Sequence, residues 1–155
     1  MKTGYSFILS VLFVLLLVNP VIGSDWVKYW RYKENVYLYN RVSVKHIKED
    51  IVQVWGKVVF SDEARGKDIQ GMRKWGLSTE GYDKLSHTLD LYEIDCKKKM
   101  DNLLSISHYD MDNKILYHHS YDKPDWNYII SSSMFDYLRE IVCVTEKKPL
   151  KKKKK

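Results

Sequence analysis

Glycine and proline are scarce, 7 and 3 in 155 residues, which excludes a collagen-like or low-complexity chain. Long apolar runs are scarcer. Only residues 7–18 (FILSVLFVLLLV) form one, so a multi-pass membrane protein is excluded. There is no HExxH, no phosphate-cradling glycine loop, no nucleophile motif and no CxxC. Nothing in the sequence therefore asks for a cofactor. Cysteine is limited to Cys96 and Cys143. The remainder is ordinary globular composition, 45% apolar and 30% charged, enough for one domain with a real core.

The start has the three-part layout of a secretory signal: Lys2, then the apolar run, then Asn19-Pro20 and the small residue Gly23 before Ser24. The run is shorter than a membrane span needs, and no basic stop follows Val18. Residues 1–23 are thus expected to be a removed leader, with an exported domain over residues 24–146. Its address is the periplasm, the outer surface or the medium. No cysteine stands at the cleavage point, so a lipid anchor is not encoded there. Export places both cysteines in an oxidising compartment, where the one intrachain pairing available is Cys96–Cys143. A metal or redox pair is the rival reading, and the spacing does not favour it.

The formal charge of +6 is a property of the end of the chain. Residues 147–155 hold seven lysines, whereas residues 24–146 hold 18 basic against 20 acidic residues. A near-neutral body argues against a dedicated nucleic-acid face. The tail, Lys151, Lys152 and Lys153 included, is read first as a solvated, self-repelling end. Contact with anionic lipid, polyanionic glycan or nucleic acid, weakened by salt, is the alternative.

Residues 26–30 form an aromatic run, and 36–39 and 42–47 are strand candidates. Residues 51–60 alternate strictly: Val52, Val54, Val58 and Phe60 on one face, Gln53, Trp55, Lys57 and Val59 on the other. Residues 62–75 read as a helix, with Ser61 or Asp62 as N-cap, Gly76 as stop and an apolar stripe of Ile69, Met72 and Trp75. Gly66 and Gly71 weaken it. A strand over 85–96 puts Tyr92, Ile94 and Cys96 on one face. Strands over 103–109 and 115–121 flank a two-residue turn at Asp112-Asn113. A last helix starts at Ser133, with Asp136 as capping-box partner, and has the apolar face Met134, Tyr137, Leu138, Ile141 and Val142. The expected fold is α+β: a small antiparallel sheet with helices packed on one face and one disulfide.

The exported start, Asp25-Trp26-Val27, Val54-Trp55-Gly56-Lys57, residues 91–96 (LYEIDC), Ser107-His108-Tyr109-Asp110, Lys123-Pro124-Asp125-Trp126 and residues 133–143 occur in an order that resembles the bacterial surface-adhesin protein E-like domain family. The likeness spans nearly the whole exported part. It implies a small α+β domain with an antiparallel sheet and flanking helices. The namesake is an outer-membrane lipoprotein that binds host extracellular-matrix and serum proteins and can dimerise. The resemblance thus implies a non-enzymatic binding module for a protein or glycan, able to form a homodimer. No short stretch carries host binding over residue by residue.

Two constellations compete with that reading. His108, His118 and His119 invite a metal or acid–base site. Strand alternation sets His118 and His119 on opposite faces. The turn pairs positions summing to 225, which makes His108 and His119 diagonal neighbours on one face without a third ligand. Cross-strand packing with Tyr117, Tyr121 and Ile106 is the plainer account, and a hydrolase using His108 and His119 the distant one. Asp110, Asp112 and Asn113 hint at a calcium loop but lack its glycine and glutamate, so a hairpin explains them. Trp26, Trp30, Trp55 and Trp126 are expected to fill the core. The alternative is that they line a partner surface, with Trp55 and Trp126 the binding candidates and Trp55 the better one, because it opposes the valine face. The alternative to a binding module is an envelope accessory protein with no host partner.

Overall fold

The computed structural model describes residues 25–144, so the expected leader and the lysine tail lie outside the described residues. The elements run β1 (Trp26–Tyr32), β2 (Asn35–Asn40), β3 (Lys45–Lys48), β4 (Ile51–Val59), α1 (Asp62–Lys74), β5 (Leu85–Asp95), β6 (Met100–Asp110), β7 (Ile115–Ser120), β8 (Asn127–Tyr128) and α2 (Met134–Val142). Every strand pairing is antiparallel, in the order β1-β2-β4-β5-β6-β7. β3 lies against β4, and β8 against β6. This is the α+β arrangement that alternating apolar strands with short links dictate.

The valine alternation of β4 sets the two faces. Val52 and Val54 are fully buried and pair across with Ile94 and Tyr92 of β5. Together with Tyr39, Ile129, Leu138 and Val142 they make the core. Gly56 belongs here because a Cβ would stand 3.1 Å from the Tyr92 ring. α2 closes this face: the Phe135 ring meets Tyr92 edge-on at 5.0 Å, and Leu138 is sealed beneath. The Cys96–Cys143 disulfide joins the β5–β6 turn to the residue capping α2, as expected. Closing that loop stabilises by about 4 kcal/mol in the chain-entropy account.

Several details differ from expectation. The core side of α2 is Phe135, Leu138 and Val142, whereas Tyr137 and Ile141 remain partly exposed. Six apolar residues in a nine-residue helix leave more than one face open, and Tyr137 settles by laying its ring against Trp30, 4.8 Å away. Ser133 accepts from the Asp136 N–H, but the Asp136 carboxylate reaches Ser132 N rather than closing a capping box on Ser133.

The α1 stripe is not buried either. No residue of that helix is buried, and its C-cap Trp75 is 84% exposed. α1 is held by its start instead: Ser61 Oγ accepts from Ala64 N, and Arg65 Nε donates to the Leu85 carbonyl at 2.6 Å. Gly76, at φ +68°, ends it.

The β6–β7 turn is a three-residue loop, Met111 to Asn113, with Asn113 in the left-handed region at φ +61°. A bulge between His108 and Tyr109 restores the expected register, so Ile106 opposes His119 and His108 opposes Tyr117. Asp110 Oδ1 accepts from the N–H groups of Asp112 and Lys114, which is turn chemistry and not a calcium loop.

The tryptophans do not form the core. Trp26, Trp30, Trp55 and Trp126 are half-buried. The space under one short helix is narrow, and valine, isoleucine, leucine and tyrosine fill it.

Candidate functional site

The far face of the sheet carries no helix among the described residues. Its side chains follow from the register. Trp55 pairs with Leu91, and Lys57 pairs with Leu38 on one side and Leu89 on the other. Leu89 and Leu91 in turn oppose Ser107 and Ser105 of β6. The result is an apolar belt across the sheet centre, half-buried because its members shield one another. The two serines are dry although no helix covers them.

Trp55 is held at the middle of this belt. Its backbone N–H donates to Ser43 Oγ at 3.0 Å, and Ser43 sits in a tight turn over Arg41–Ser43. Asn40 pins that turn, its Oδ1 accepting from Val42 N and Ser43 N. Lys57 places its ammonium 5.8 Å from the centre of the Trp26 ring, a cation–π distance. His87 stacks on Tyr109 at 5.0 Å, and burial with the Lys57 charge holds its imidazole below the usual range and neutral. The face therefore offers flat aromatic and leucine surface, with Lys57 beside it and Lys28 and Lys45 at flanking register positions.

Trp126 lies elsewhere. It directly precedes β8, which joins the sheet beside β6 and so three strand positions from β4. At the ordinary strand spacing that is about 14 Å from Trp55. The register nevertheless sets Trp126 beside Asn102, on the same face of the sheet as Trp55. Lys151, Lys152 and Lys153 lie outside the described residues.

The histidines resolve into packing. His108, Tyr117, His119 and Tyr121 form a ladder of rings along one face, with successive centroids 5.3, 6.5 and 4.5 Å apart. No cluster of three metal-ligating side chains occurs among the described residues. Sequence reading missed a serine–histidine pair, Ser107 Oγ 2.8 Å from His118 Nδ1. The second nitrogen of His118 meets the Ser120 hydroxyl at 3.3 Å, where a catalytic triad needs an orienting carboxylate. The register sum that paired Ser107 with His118 would have found it. Also missed was Asp90, buried on the helix side, where strand alternation with Tyr92 and Ile94 places it.

The chain belongs to the surface-adhesin protein E family, whose model matches residues 26–144, and is an adhesin-like protein. A solved structure of Haemophilus influenzae protein E superposes with a TM-score of 0.50 at 11% identity, covering 79% of this chain and 86% of that one. Its selenomethionine form gives 0.50 and 11%, covering 79% and 88%. These likenesses show a shared fold. No curated protein matches significantly. No described helix is long and apolar enough to cross a membrane.

Proposed function

We propose that this member of the surface-adhesin protein E family is an exported, non-enzymatic binding protein whose uncovered sheet face, centred on Trp55, meets an extracellular protein or glycan. The observation that carries the reading is the belt of Trp55, Leu89 and Leu91 with no helix over it, while both helices lie on the other side. A monomeric domain gains nothing from leaving such a belt uncovered, whereas a binding face needs rigid aromatic and aliphatic anchors on strands. Trp126 is a separate, lesser contact in this reading. The lysine tail, residues 151–153 included, adds a screened attraction to anionic surfaces, and a second copy of the chain is a further partner for the same face.

The test is adhesion of the purified protein to a panel of matrix proteins, serum proteins and glycans, compared with Trp55→Ala and with a chain cut after residue 146. Trp55→Ala should lower binding at every salt concentration, and loss of the tail only at low salt. Unchanged binding by both variants would remove the proposed surface. Absence of any ligand on the panel, with partners captured only from the cell's own envelope, would favour the accessory role instead.

A further inference from the structure

A second place invites a ligand, on the opposite side of the sheet from Trp55 and independent of the adhesive reading. The end of α1 and the chain that follows it stand away from the β6–β7 hairpin and leave a cleft of about 760 Å³. This is within the range of small-molecule sites. Met72, Leu77, Leu116 and Tyr117 supply apolar walls, and Tyr82 and His108 supply the polar part. The lip is apolar as well, since Leu77 and Ile115 are exposed there.

Three rings line this space in fixed relation. Tyr82 meets His108 edge-on at 5.7 Å, and His108 meets Tyr117 at 5.3 Å. The Tyr82 hydroxyl stands 2.8 Å from His108 Nδ1 and has no other polar partner among the described residues. Burial keeps the phenol protonated and the imidazole neutral. The phenol therefore donates to Nδ1, which assigns the ring proton to Nε2. Nε2–H has no protein acceptor among the described residues, so it is an unused donor on a ring that lines the cleft. Lys114 and Glu80 both border the cleft, so their charges offset and select no net charge in an occupant.

We infer that this cleft binds a planar, uncharged aromatic small molecule carrying one hydrogen-bond acceptor, with its ring among Tyr82, His108 and Tyr117 and its acceptor on His108 Nε2–H. Quinoline and naphthalene are matched probes: the same flat shape, with and without an acceptor nitrogen. Each is titrated into isotope-labelled protein at pH 7.5, following the Met72 and Leu116 methyl signals by NMR. Both probes should shift those signals and leave Leu89 and Leu91, on the other face, unmoved. His108→Phe keeps the ring and removes the donor. It should cut the quinoline-to-naphthalene affinity ratio about five- to tenfold, one hydrogen bond's worth. Tyr82→Phe frees the tautomer and should lower the same ratio by a smaller factor, which keeps the test open if His108→Phe does not fold. The inference is overturned if neither probe moves Met72 and Leu116, if Leu89 and Leu91 move instead, or if the ratio survives the substitutions that fold.

Discussion

Asp90 gives the sharpest quantitative test of how this core is built. Its carboxyl is 4% exposed, on the helix side of β5 opposite Gly56. Oδ2 accepts from Thr88 Oγ1 at 3.2 Å and from the Tyr92 hydroxyl at 3.1 Å, while Oδ1 is buried without a protein partner. Burial dominates, pushing the carboxyl up from 3.8 to about 6 against the opposing pull of those two hydrogen bonds. A carboxyl that holds its proton more tightly folded than unfolded favours the fold at low pH. Its contribution is fully present below about 4 and is lost as pH rises through about 6. The shift corresponds to about 3 kcal/mol as a ceiling. Asp90→Asn keeps the shape and cannot ionise. Urea unfolding of the disulfide-intact protein should show the stability difference, variant minus parent, moving about 2–3 kcal/mol in the variant's favour between pH 4 and pH 7.5. Comparing the pair removes the opposite trend from His87 and His108, whose burial depresses their pKa values in both proteins alike. A difference that stays constant across that range would refute the buried-carboxylate account.

Replacing both Cys96 and Cys143 by serine should lower stability by about 4 kcal/mol, read as a drop in urea midpoint, because the closed loop spans 47 positions. Leu138→Ala should cost about 2–5 kcal/mol, as for a fully buried leucine, and Ser133→Ala about 1 kcal/mol for the lost cap, both measured by denaturation. Trp75→Ala should change stability by less than about 0.5 kcal/mol in the same assay, since its side chain is solvated, and a large loss would mean α1 packs more closely than described.

Local signals in the sequence carried a good deal of this. Period-two alternation separated Val52 and Val54 from Trp55, and Ser61 and Ser133 marked both helix starts. The register sum at the β6–β7 hairpin placed His108 opposite Tyr117 even though the turn itself holds one more residue than expected. What escaped depends on contacts distant in the chain. Phe135 rather than Tyr137 faces the core because Tyr92 and Trp30, on different strands, divide the two rings between them. The Tyr82–His108 bond joins residues 26 apart, and no periodicity within one element signals it. Trp75 illustrates the limit of a helical stripe: Ile69 and Met72 are half-buried, but Trp75, at the same spacing, has no surface opposite it and stays exposed.

The openness of the Trp55 face follows from the connections. Neighbouring strands here are mostly joined by links of hairpin length, so only residues 60–84 and the stretch after β8, residues 129–144, lead into helices. The second excursion is committed to the valine side by the Cys96–Cys143 bond, because Cys96 follows Ile94 and Asp95 at the end of β5 and Cys143 closes α2. The first returns to β5 beside the same side, with Met72 near Tyr82 and His108. No third excursion remains among the described residues to cover the other face, and a domain of this size has little chain to spare for one. That face then has to be tolerable in water alone, and its composition shows how. Lys57, Gln53 and Glu93 interrupt Trp55, Leu89 and Leu91 along the two central strands. A partner laid over this surface covers rigid apolar groups already shielded by their neighbours, with little side-chain freedom left to lose. One disulfide thus does two things at once: it fixes the core on one side and, by holding α2 there, keeps that helix off the other side.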